Sequence, residues 1–238
     1  MKLVKYSLFQ RLSEDILLKY SLCKLGDPET IYEFALGISN LIKEQLIKNE
    51  EYILYTTDVT NRGSHKNSFL LAREIARALS LELIVGGYNF TYDKSNFYDN
   101  QKASERKNHI PKIKKANLGP ERRTVIIIDD SFFTGKTLRV ITEELKKYTD
   151  TFLFFSIINL SKQITFTEEA ANSYFIEKRG VEGLVKILNK KEYIPTTYML
   201  RVVENLSPEE KYFVLSKFNL SKKEQFKKSY LNYIGKDL

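Results

Sequence analysis

Two adjacent carboxylates, Asp129 and Asp130, follow a run of apolar residues and stand directly before a short polar turn. The turn spans Ser131–Thr137 and contains a glycine and a lysine together with hydroxyl groups. A helix that begins after such a turn presents backbone N–H groups and the positive end of its dipole, and both favour a bound phosphate. Carboxylates repel phosphate but accept hydrogen bonds from sugar hydroxyls. The pattern therefore predicts that one strand end holds the sugar and the phosphate of a ribose 5-phosphate.

The strand that precedes the acids must position them. Val125–Ile128 is unbroken and β-branched, which is typical of a parallel strand covered on both faces. A helix is predicted from about Lys136 to Tyr148. Ligands of open α/β sheets bind outside the carboxyl ends of the strands, so we expect both acids at a solvent-facing strand end.

Two other interpretations of this segment are open. The fragment Gly135-Lys136-Thr137 also occurs in the P-loop of nucleotide triphosphatases, but that motif requires a glycine five residues before Gly135, where Asp130 stands. Alternatively, the two acids only end a strand and Gly135 only makes a turn.

Val125–Leu138 resembles the phosphoribosyl-pyrophosphate (PRPP) signature of the type I phosphoribosyltransferases: an apolar strand, two acids, a short loop and Thr-Gly-x-Thr. The resemblance implies that the acids hold the ribose hydroxyls and that the loop holds the 5-phosphate. The PRPP-binding residues that it implies are Asp129, Asp130, Ser131, Phe132, Phe133, Thr134, Gly135, Lys136 and Thr137. The two phenylalanines are bulkier than the usual loop residues, and the lysine replaces a residue that is often small.

Two upstream segments are similar to the ComF branch of this family. Arg62–Ala76 contains an Arg-Gly step and a helix of the Leu-Leu-Ala-Arg type, and Gln101–Asn108 is a shortened form of the branch's Gln-Lys-x-x-Ser-x-x-Arg-x-x-Asn element. The three matches occur in the family's order and cover roughly residues 52–158. ComF proteins often carry an N-terminal cysteine zinc ribbon, which this chain lacks because its one cysteine is Cys23.

Composition sets outer bounds on the function. The 238 residues suffice for one large domain, or for a domain with an appendage, and 42% hydrophobic and 29% charged residues are ordinary for a soluble globular protein. No apolar run approaches a membrane span, and the N-terminus lacks a signal-peptide core, so we expect a cytoplasmic protein. One cysteine and two histidines exclude an internal disulfide and disfavour a protein-ligated transition metal. The net charge of +8 fits a nucleic acid, a polyanionic substrate or a lysine-rich background.

The chain divides into three predicted parts. Residues 1–50 form a mostly helical N-terminal cover, with Asp27-Pro28-Glu29 as a helix start. Residues 51–160 form the PRPP-binding core, in which strands at 52–56, 83–86, 125–128 and 152–158 alternate with helices. Residues 161–238 form a helical C-terminal extension. The predicted fold class is therefore α/β, the type I phosphoribosyltransferase fold, a mostly parallel sheet flanked by helices with helical additions at both ends.

The C-terminal extension carries helix starts and aromatic stripes. Thr167 is predicted to open one helix, and Ser207–Glu210 and Ser221–Glu224 are predicted capping boxes. We expect the aromatic residues to pack in a core or against a second subunit; they include Tyr212, Phe213, Phe218, Phe226, Tyr230 and Tyr233. A basic cluster is expected to form a solvated face; it comprises Lys222, Lys223, Lys227 and Lys228.

Residues 88–121 interrupt the alternation with a long polar segment. Long loops inside compact domains are usually functional or disordered. In type I phosphoribosyltransferases a flexible hood between these strands closes over the site; a solvated insertion is the alternative. The resemblance implies that pyrophosphate is contacted by this hood and by the loop after the first core strand, through Asp58, Arg62, Gly63, Gln101, Lys102, Arg106 and Lys107.

The predicted function is transfer of ribose 5-phosphate from PRPP to a nitrogenous base, or the reverse, with release of pyrophosphate. The predicted catalytic residues are Asp129, Asp130, Lys102 and Arg106. Mg²⁺ is expected to arrive with PRPP, held by the substrate's oxygens with carboxylate help and not by the protein alone. The expected partners are PRPP and an unidentified base; a homodimer is open, nucleic acid is open but not preferred, and no membrane is expected. The alternative is a non-catalytic PRPP- or nucleotide-binding protein, or a ComF-like competence or DNA-processing protein.

The hood interpretation predicts a ligand-dependent ordering. Amide hydrogen exchange of residues 95–115 should slow when PRPP and Mg²⁺ are added together, because basic side chains would close over pyrophosphate. Equal exchange with and without ligand would favour the solvated insertion.

Overall fold

One mixed sheet forms the centre of the protein. The structure, a computed structural model, describes residues 1–59, 64–89, 112–113, 123–161, 168–235 and 238. In these residues six strands form the sheet: β1 (Lys2–Phe9), β2 (Tyr52–Val59), β3 (Leu83–Asn89), β4 (Lys112–Ile113), β5 (Thr124–Phe132) and β6 (Thr151–Asn159). Their order is β1-β6-β5-β2-β3-β4, and every neighbouring pair is parallel except β3 and β4.

Helices flank the sheet and extend the chain beyond it. Within the described ranges they are α1 (Glu14–Leu25), α2 (Pro28–Lys43), α3 (Asn67–Leu79), α4 (Lys136–Leu145), α5 (Glu168–Leu188), α6 (Thr197–Glu204), α7 (Pro208–Ser216) and α8 (Leu220–Ile234). The predicted start of α2 is confirmed, since Asp27 accepts the Thr30 N–H at 3.1 Å and Pro28 occupies the first turn. Helix α4 ends three residues before the predicted Tyr148. Gly180 interrupts α5 with a φ of 62°.

The N-terminal segment contributes a strand as well as helices, which corrects the expectation that Tyr52 begins the first strand. β1 pairs in parallel with β6 along almost its whole length. The side chains of β1 alternate between the two faces of the sheet: Val4 and Tyr6 pack against one core cluster, and Leu3 packs against another. Lys5 interrupts the apolar residues of this edge strand, so it lacks the continuous apolar run that identified β5 and β6.

The pleat of the sheet separates two hydrophobic clusters. On one face, Leu54, Ile126 and Phe155 pack with residues of α1, α2 and α3. On the other face, Tyr55, Ile127 and Phe154 belong to the cluster that contains residues of α4. Successive residues of a strand point to opposite faces, and burial on both faces explains the unbroken apolar sequence of β5.

The two helices that follow the central strands cover opposite faces. β2 continues into α3 on one face, and β5 continues into α4 on the other. β2 and β5 are hydrogen-bonded neighbours, so their connections leave the sheet in opposite directions. Such a point, at the carboxyl ends of parallel strands, is where open α/β sheets bind ligands.

The C-terminal residues form a helical bundle with its own core. Leu184, Met199, Val214, Phe226 and Tyr230 are buried there together, and Phe218 and Tyr233 pack against them. The prediction that the aromatic residues pack in a core is confirmed for these four, but Tyr212 is 77% exposed and does not pack in this core. The capping box at Ser207 is also confirmed, since Ser207 and Glu210 each accept the other's backbone N–H. The predicted capping box at Ser221 is wrong, because the capping residue of α8 lies two residues earlier: Asn219 accepts the Lys222 N–H at 2.9 Å. Thr167 lies outside the described residues.

None of the described helices is both long enough and apolar enough to cross a membrane.

The four lysines of the basic cluster on α8 differ in their contacts and exposure. Lys222 donates to the carbonyl oxygens of Asn189 and Lys190 at 2.8 and 3.0 Å, so it caps the end of α5 instead of facing solvent. Lys227 and Lys228 are exposed, and Lys223 is half-buried.

Replacing Lys223, Lys227 and Lys228 together by glutamine should leave DNA binding weak and unchanged. Fluorescence anisotropy with labelled single- and double-stranded DNA across a salt series measures this. Loss of three phosphate contacts would reduce the slope of the logarithm of the DNA-binding constant against the logarithm of salt concentration by about 2–3 units in magnitude. A matched variant that neutralises the exposed Lys43, Lys48 and Lys186 controls for net charge. A slope that falls only in the α8 variant would identify α8 as a DNA-binding element.

Candidate functional site

The two acids lie within β5 and not beyond it. β5 continues to Phe132, and its pairing with β6 runs past the acids, with Asp129 opposite Ser156 and Ser131 opposite Ile158. Adjacent residues of a strand face opposite sides of the sheet. Asp130 therefore shares the side of Ile126 and Ile128, and Asp129 shares the side of α4.

Asp130 is buried in an ion pair. Only 7% of the residue is exposed, and its Oδ2 lies 2.6 Å from the Lys24 Nζ. The Asn67 amide donates to the same oxygen at 2.9 Å, and the Tyr20 hydroxyl lies at 3.5 Å. The expectation that both acids face solvent is wrong for Asp130, because the pleat directs it under α1 and α3.

Asp129 is half-buried and has a different electrostatic environment. Its Oδ1 accepts the backbone N–H of Asp130 at 2.9 Å. Burial, and then the neighbouring charge of Asp130, raises the pKa of Asp129 to about 7, although Lys66 acts in the opposite direction. Burial alone would raise the pKa of Asp130 too, but the charge of Lys24 and the hydrogen bonds from Lys24 and Asn67 hold it well below its usual range. The pair thus combines one permanent carboxylate with one that gains or loses a proton near neutral pH.

The turn after β5 is anchored by its two phenylalanines. The Phe132 ring packs edge-on against Phe154, with ring centroids 5.7 Å apart, and Lys5 Nζ lies 4.4 Å from the Phe132 centroid. Phe133 packs against the cluster on the opposite face. The bulk that distinguishes this turn from the family pattern therefore fixes it to both sides of the sheet.

Gly135 begins α4 in a left-handed conformation. Its φ is 70°, and as the N-cap residue it supplies no side chain to the first turn, although the Thr134 hydroxyl accepts the Lys136 N–H at 3.4 Å. A left-handed residue with a side chain is strained, and a Cβ at Gly135 would also approach the Phe132 ring to 3.1 Å. Thr134 is exposed, and Lys136 and Thr137 are half-buried. The turn therefore offers backbone donors, hydroxyls and an ammonium group at one helix start, which together can bind a phosphate.

The end of β2 is organised by Asp58. Its buried carboxylate accepts the Lys66 N–H at 2.8 Å and pairs with His65 Nδ1 at 2.5 Å. Lys66 Nζ donates to the Thr57 hydroxyl at 3.2 Å. Sequence reasoning selected Asp58 but missed His65 and Lys66, although both lie in the connection between β2 and α3. In the structure, Asp58 fixes the connection between β2 and α3 through its contacts with His65 and Lys66. A direct contact between Asp58 and pyrophosphate stays a prediction.

The C-terminal bundle touches this connection directly. The His65 N–H donates to the Pro195 carbonyl at 3.1 Å, and the Thr197 N–H donates to the His65 carbonyl at 3.0 Å. No sequence pattern indicated this contact, because it joins segments about 130 residues apart.

Several predicted site residues lie outside the described residues: Arg62, Gly63, Gln101, Lys102, Arg106 and Lys107. Among the residues that are described, no group of three or more His, Cys, Asp or Glu side chains is placed to hold a metal ion. The described residues thus do not fit a protein-only metal cage.

Residues 63–149 match the family model of the phosphoribosyl transferase domain. This segment, 87 of the 238 residues, is the part of the chain that is similar to that family. The matched segment includes α3, β3, β5 and α4, so it covers the acid pair, the turn and the helix start just described. Together with the parallel sheet, it identifies the type I phosphoribosyltransferase fold. Membership of the ComF branch stays a prediction.

Solved structures similar to the chain are distant. A hypoxanthine phosphoribosyltransferase from Staphylococcus aureus is 15% identical with a TM-score of 0.38, over 56% of this chain and 64% of that one. A purine phosphoribosyltransferase from Pyrococcus horikoshii is 15% identical with a TM-score of 0.36, over 68% and 89%. An adenine phosphoribosyltransferase from Trypanosoma brucei, in complex with AMP, pyrophosphate and ribose-5-phosphate, is 16% identical with a TM-score of 0.37, over 57% and 66%.

The chain therefore spans less than two thirds of the Staphylococcus aureus protein. No curated protein matches it in sequence. The similarity to the phosphoribosyl transferase domain rests on residues 63–149, not on these distant structures.

The raised pKa of Asp129 predicts a dependence of stability on pH. Between the ordinary carboxyl pKa and about 7, the folded protein binds a proton that the unfolded chain has released. The stability that this group contributes is complete below the unfolded pKa and is lost as pH rises to about 7. The free energy of unfolding of wild type, minus that of Asp129→Asn, should therefore fall across that window by at most about 1.4 kcal/mol per pH unit and then level off.

Urea unfolding at a series of pH values measures this difference. Asp150→Asn, which removes an exposed acid before β6, controls for the loss of one carboxylate. A wild-type-minus-Asp129→Asn difference that is flat or rises between pH 4 and 7 would contradict the environment described for Asp129.

Proposed function

We propose that this protein binds PRPP and transfers its ribose 5-phosphate to a nitrogenous base, or catalyses the reverse reaction, with pyrophosphate as the other product. The observation that carries the proposal is the start of α4. There the match to the phosphoribosyl transferase domain coincides with a helix N-terminus whose N-cap residue is a left-handed glycine without a side chain, and with a half-buried carboxylate, Asp129, on the same side of the sheet. Phosphate and sugar hydroxyls are the ligand groups that suit these donors and this acceptor.

The 5-phosphate is proposed to lie against the first turn of α4. Backbone N–H groups of this turn, the hydroxyls of Thr134 and Thr137 and the ammonium of Lys136 would donate to it. Burial, and then the nearby Arg139, lowers the pKa of Lys136, and a bound phosphate would compensate part of that positive charge.

The ribose hydroxyls are proposed to donate to Asp129. Its Oδ1 already accepts one backbone N–H, and a carboxylate oxygen has capacity for a further bond. Because Asp129 must be ionised to accept from both hydroxyls, we expect binding to improve as pH rises through about 7.

Pyrophosphate is proposed to lie near the connection between β2 and α3. Ser64 and Ser68 flank the start of α3, and their buried hydroxyls have no hydrogen-bond partner among the described residues. No side chain caps α3. Buried hydroxyls next to an uncapped helix start favour a ligand that supplies acceptors. Asp58 would hold this connection, and the further cations proposed for it are Arg62, Lys102, Arg106 and Lys107, with Gly63 giving close approach.

The proposed reaction needs little acid–base chemistry from the protein. The site must orient PRPP, stabilise the charge of departing pyrophosphate and admit a nucleophile at C1 of the ribose. Mg²⁺ would neutralise diphosphate charge, and it is proposed to enter with PRPP, because the described residues form no cage for it. No step is assigned to the ion.

Pyrophosphate release is the direct test. The full-length protein is mixed with PRPP, Mg²⁺ and a panel of purine and pyrimidine bases, and released pyrophosphate is measured. Release that requires one base supports the transferase. PRPP binding by calorimetry without release for any base would support the non-catalytic alternative, and absence of binding would refute the proposed ligand.

Lys136→Gln provides a sharper prediction. It should weaken PRPP binding by about 1.5–3 kcal/mol, because a hydrogen bond between charged groups is lost. Lys146→Gln is the matched control, since Lys146 ends the same helix and pairs with Glu143 on an exposed surface. Equal PRPP affinity in wild type and Lys136→Gln would refute the placement of the phosphate at α4.

A further inference from the structure

A lysine outside the phosphoribosyltransferase segment reaches the signature acid pair. Lys24 lies in the last turn of α1, and its Nζ is 2.6 Å from Asp130 Oδ2. The two side chains are 8% and 10% exposed, so the ion pair is buried. Removing one partner of a buried ion pair leaves an uncompensated charge, which costs far more than the loss of a surface pair.

The ion pair selects which acid remains for a ligand. Lys24 and Asn67 occupy the same oxygen of Asp130, on the side of β5 that α1 and α3 cover. Asp129 lies on the other side, next to α4. Asp130 could bind the same ribose as Asp129 only if it left its contacts with Lys24 and Asn67.

The C-terminal bundle holds Lys24 in place. The Tyr198 ring lies under the ammonium, with 5.1 Å from Nζ to the ring centroid. The Thr196 hydroxyl donates to the Lys24 carbonyl at 3.0 Å and accepts the Met199 N–H at 3.1 Å, so one side chain joins the end of α1 to the start of α6. Gly26 permits this approach, because a Cβ there would lie 2.7 Å from the Thr196 methyl group.

We propose that Lys24 is a positioning residue of the ligand site: it locks Asp130 away from the ligand, leaves Asp129 as the single acid that meets the ribose, and is itself held by the C-terminal bundle. The ribose part of this inference rests on the proposed function. The helical extension thereby has a defined role, which is to hold the cation that sets the charge of the acid pair.

The charged and titratable groups around the acids define what should be measured. Asp130 faces Lys24, Tyr20 and Cys23 of α1, and Asn67 of α3 is its uncharged partner. Asp129 faces Asp130 and Lys66. Lys24 is the cation in direct contact with Asp130, so its removal should redistribute the proton between the two acids.

A purely structural ion pair would behave differently from a positioning residue. If Lys24 only stabilised the fold, its removal would lower stability and raise the pKa of Asp130 but leave the pH dependence of ligand binding unchanged. The decisive readout is therefore the pH dependence of ligand binding. The titration of the two carboxyls, followed by NMR of protein labelled with ¹³C at the aspartate carboxyls and assigned with Asp129→Asn, measures how far Lys24 sets their charge.

In wild type we expect one carboxyl to titrate near pH 7 and the other to stay ionised to the lowest pH at which the protein is folded. Lys24→Met should raise the pKa of Asp130 by about 1–3 units, because an opposite charge in contact is removed. Lys24→Arg keeps the positive charge, so the two carboxyls should titrate in the same order as in wild type. If Lys24→Met does not fold, the wild-type titration still decides, since two carboxyls that both titrate below pH 5 would overturn the inference.

The role of the bundle is tested by a matched pair of substitutions. Tyr198→Leu and Phe226→Leu each remove a buried ring from the same core, but only Tyr198 contacts Lys24. We expect Tyr198→Leu alone to raise the pKa of Asp130, by less than Lys24→Met does. Equal effects of the two substitutions would overturn the role of the bundle.

Ligand binding separates this inference from the proposed function. Using ribose 5-phosphate as the probe, we expect the pH at which Lys24→Met gains affinity to be shifted from the pH, about 7, at which wild type gains it. Lys24→Met binding that equals wild-type binding at every pH would overturn the positioning role and leave the proposed function standing. Absence of wild-type binding to both ribose 5-phosphate and PRPP would overturn the ribose role along with the proposed function, whereas the carboxyl titration would still show whether Lys24 sets the charge of Asp130.

Discussion

The pleat of β5 is the constraint on which the site depends. Because β5 stays paired with β6 beyond the acids, Asp129 and Asp130 must face opposite sides of the sheet. Asp130 consequently enters the interior beneath α1 and α3, where an isolated carboxylate would be very costly. Lys24 and Asn67 compensate that cost, so the position of α1 and the charge of the site are determined together.

The terminal segments are therefore parts of the site's support. β1 extends the sheet beside β6, and α1 brings Lys24 to β5. The bundle then contacts α1 through Thr196 and Tyr198 and contacts the connection after β2 through His65. The contact of Lys24 with Asp130 and the contacts of His65 with the bundle cross the limits of the family match, residues 63–149. A functional site placed on ordered elements requires such a supporting layer, because the groups that meet the ligand must be held in one geometry.

Local sequence patterns predicted much of the sheet and little of the site's electrostatics. Continuous apolar runs identified β5 and β6, and Asp27-Pro28 identified the start of α2. β1 was missed because Lys5 interrupts its apolar residues. The start of α8 was misplaced because Asn219, and not Ser221, is its capping residue. The acid pair was recognised from adjacency, but its division between two faces depends on how far β5 stays paired. Lys24, His65 and Tyr198 were missed because their partners lie far away in sequence, and single residues carry no signal of such contacts.

The proposal that one acid of the signature meets the ribose while the other is held by Lys24 is tested most directly by a crystal structure of the full chain with ribose 5-phosphate. We expect phosphate at the first turn of α4, ribose hydroxyls on Asp129, and Asp130 still within hydrogen-bond distance of Lys24 Nζ. A ribose held by the Asp130 carboxylate, with Lys24 withdrawn from it, would contradict the proposal.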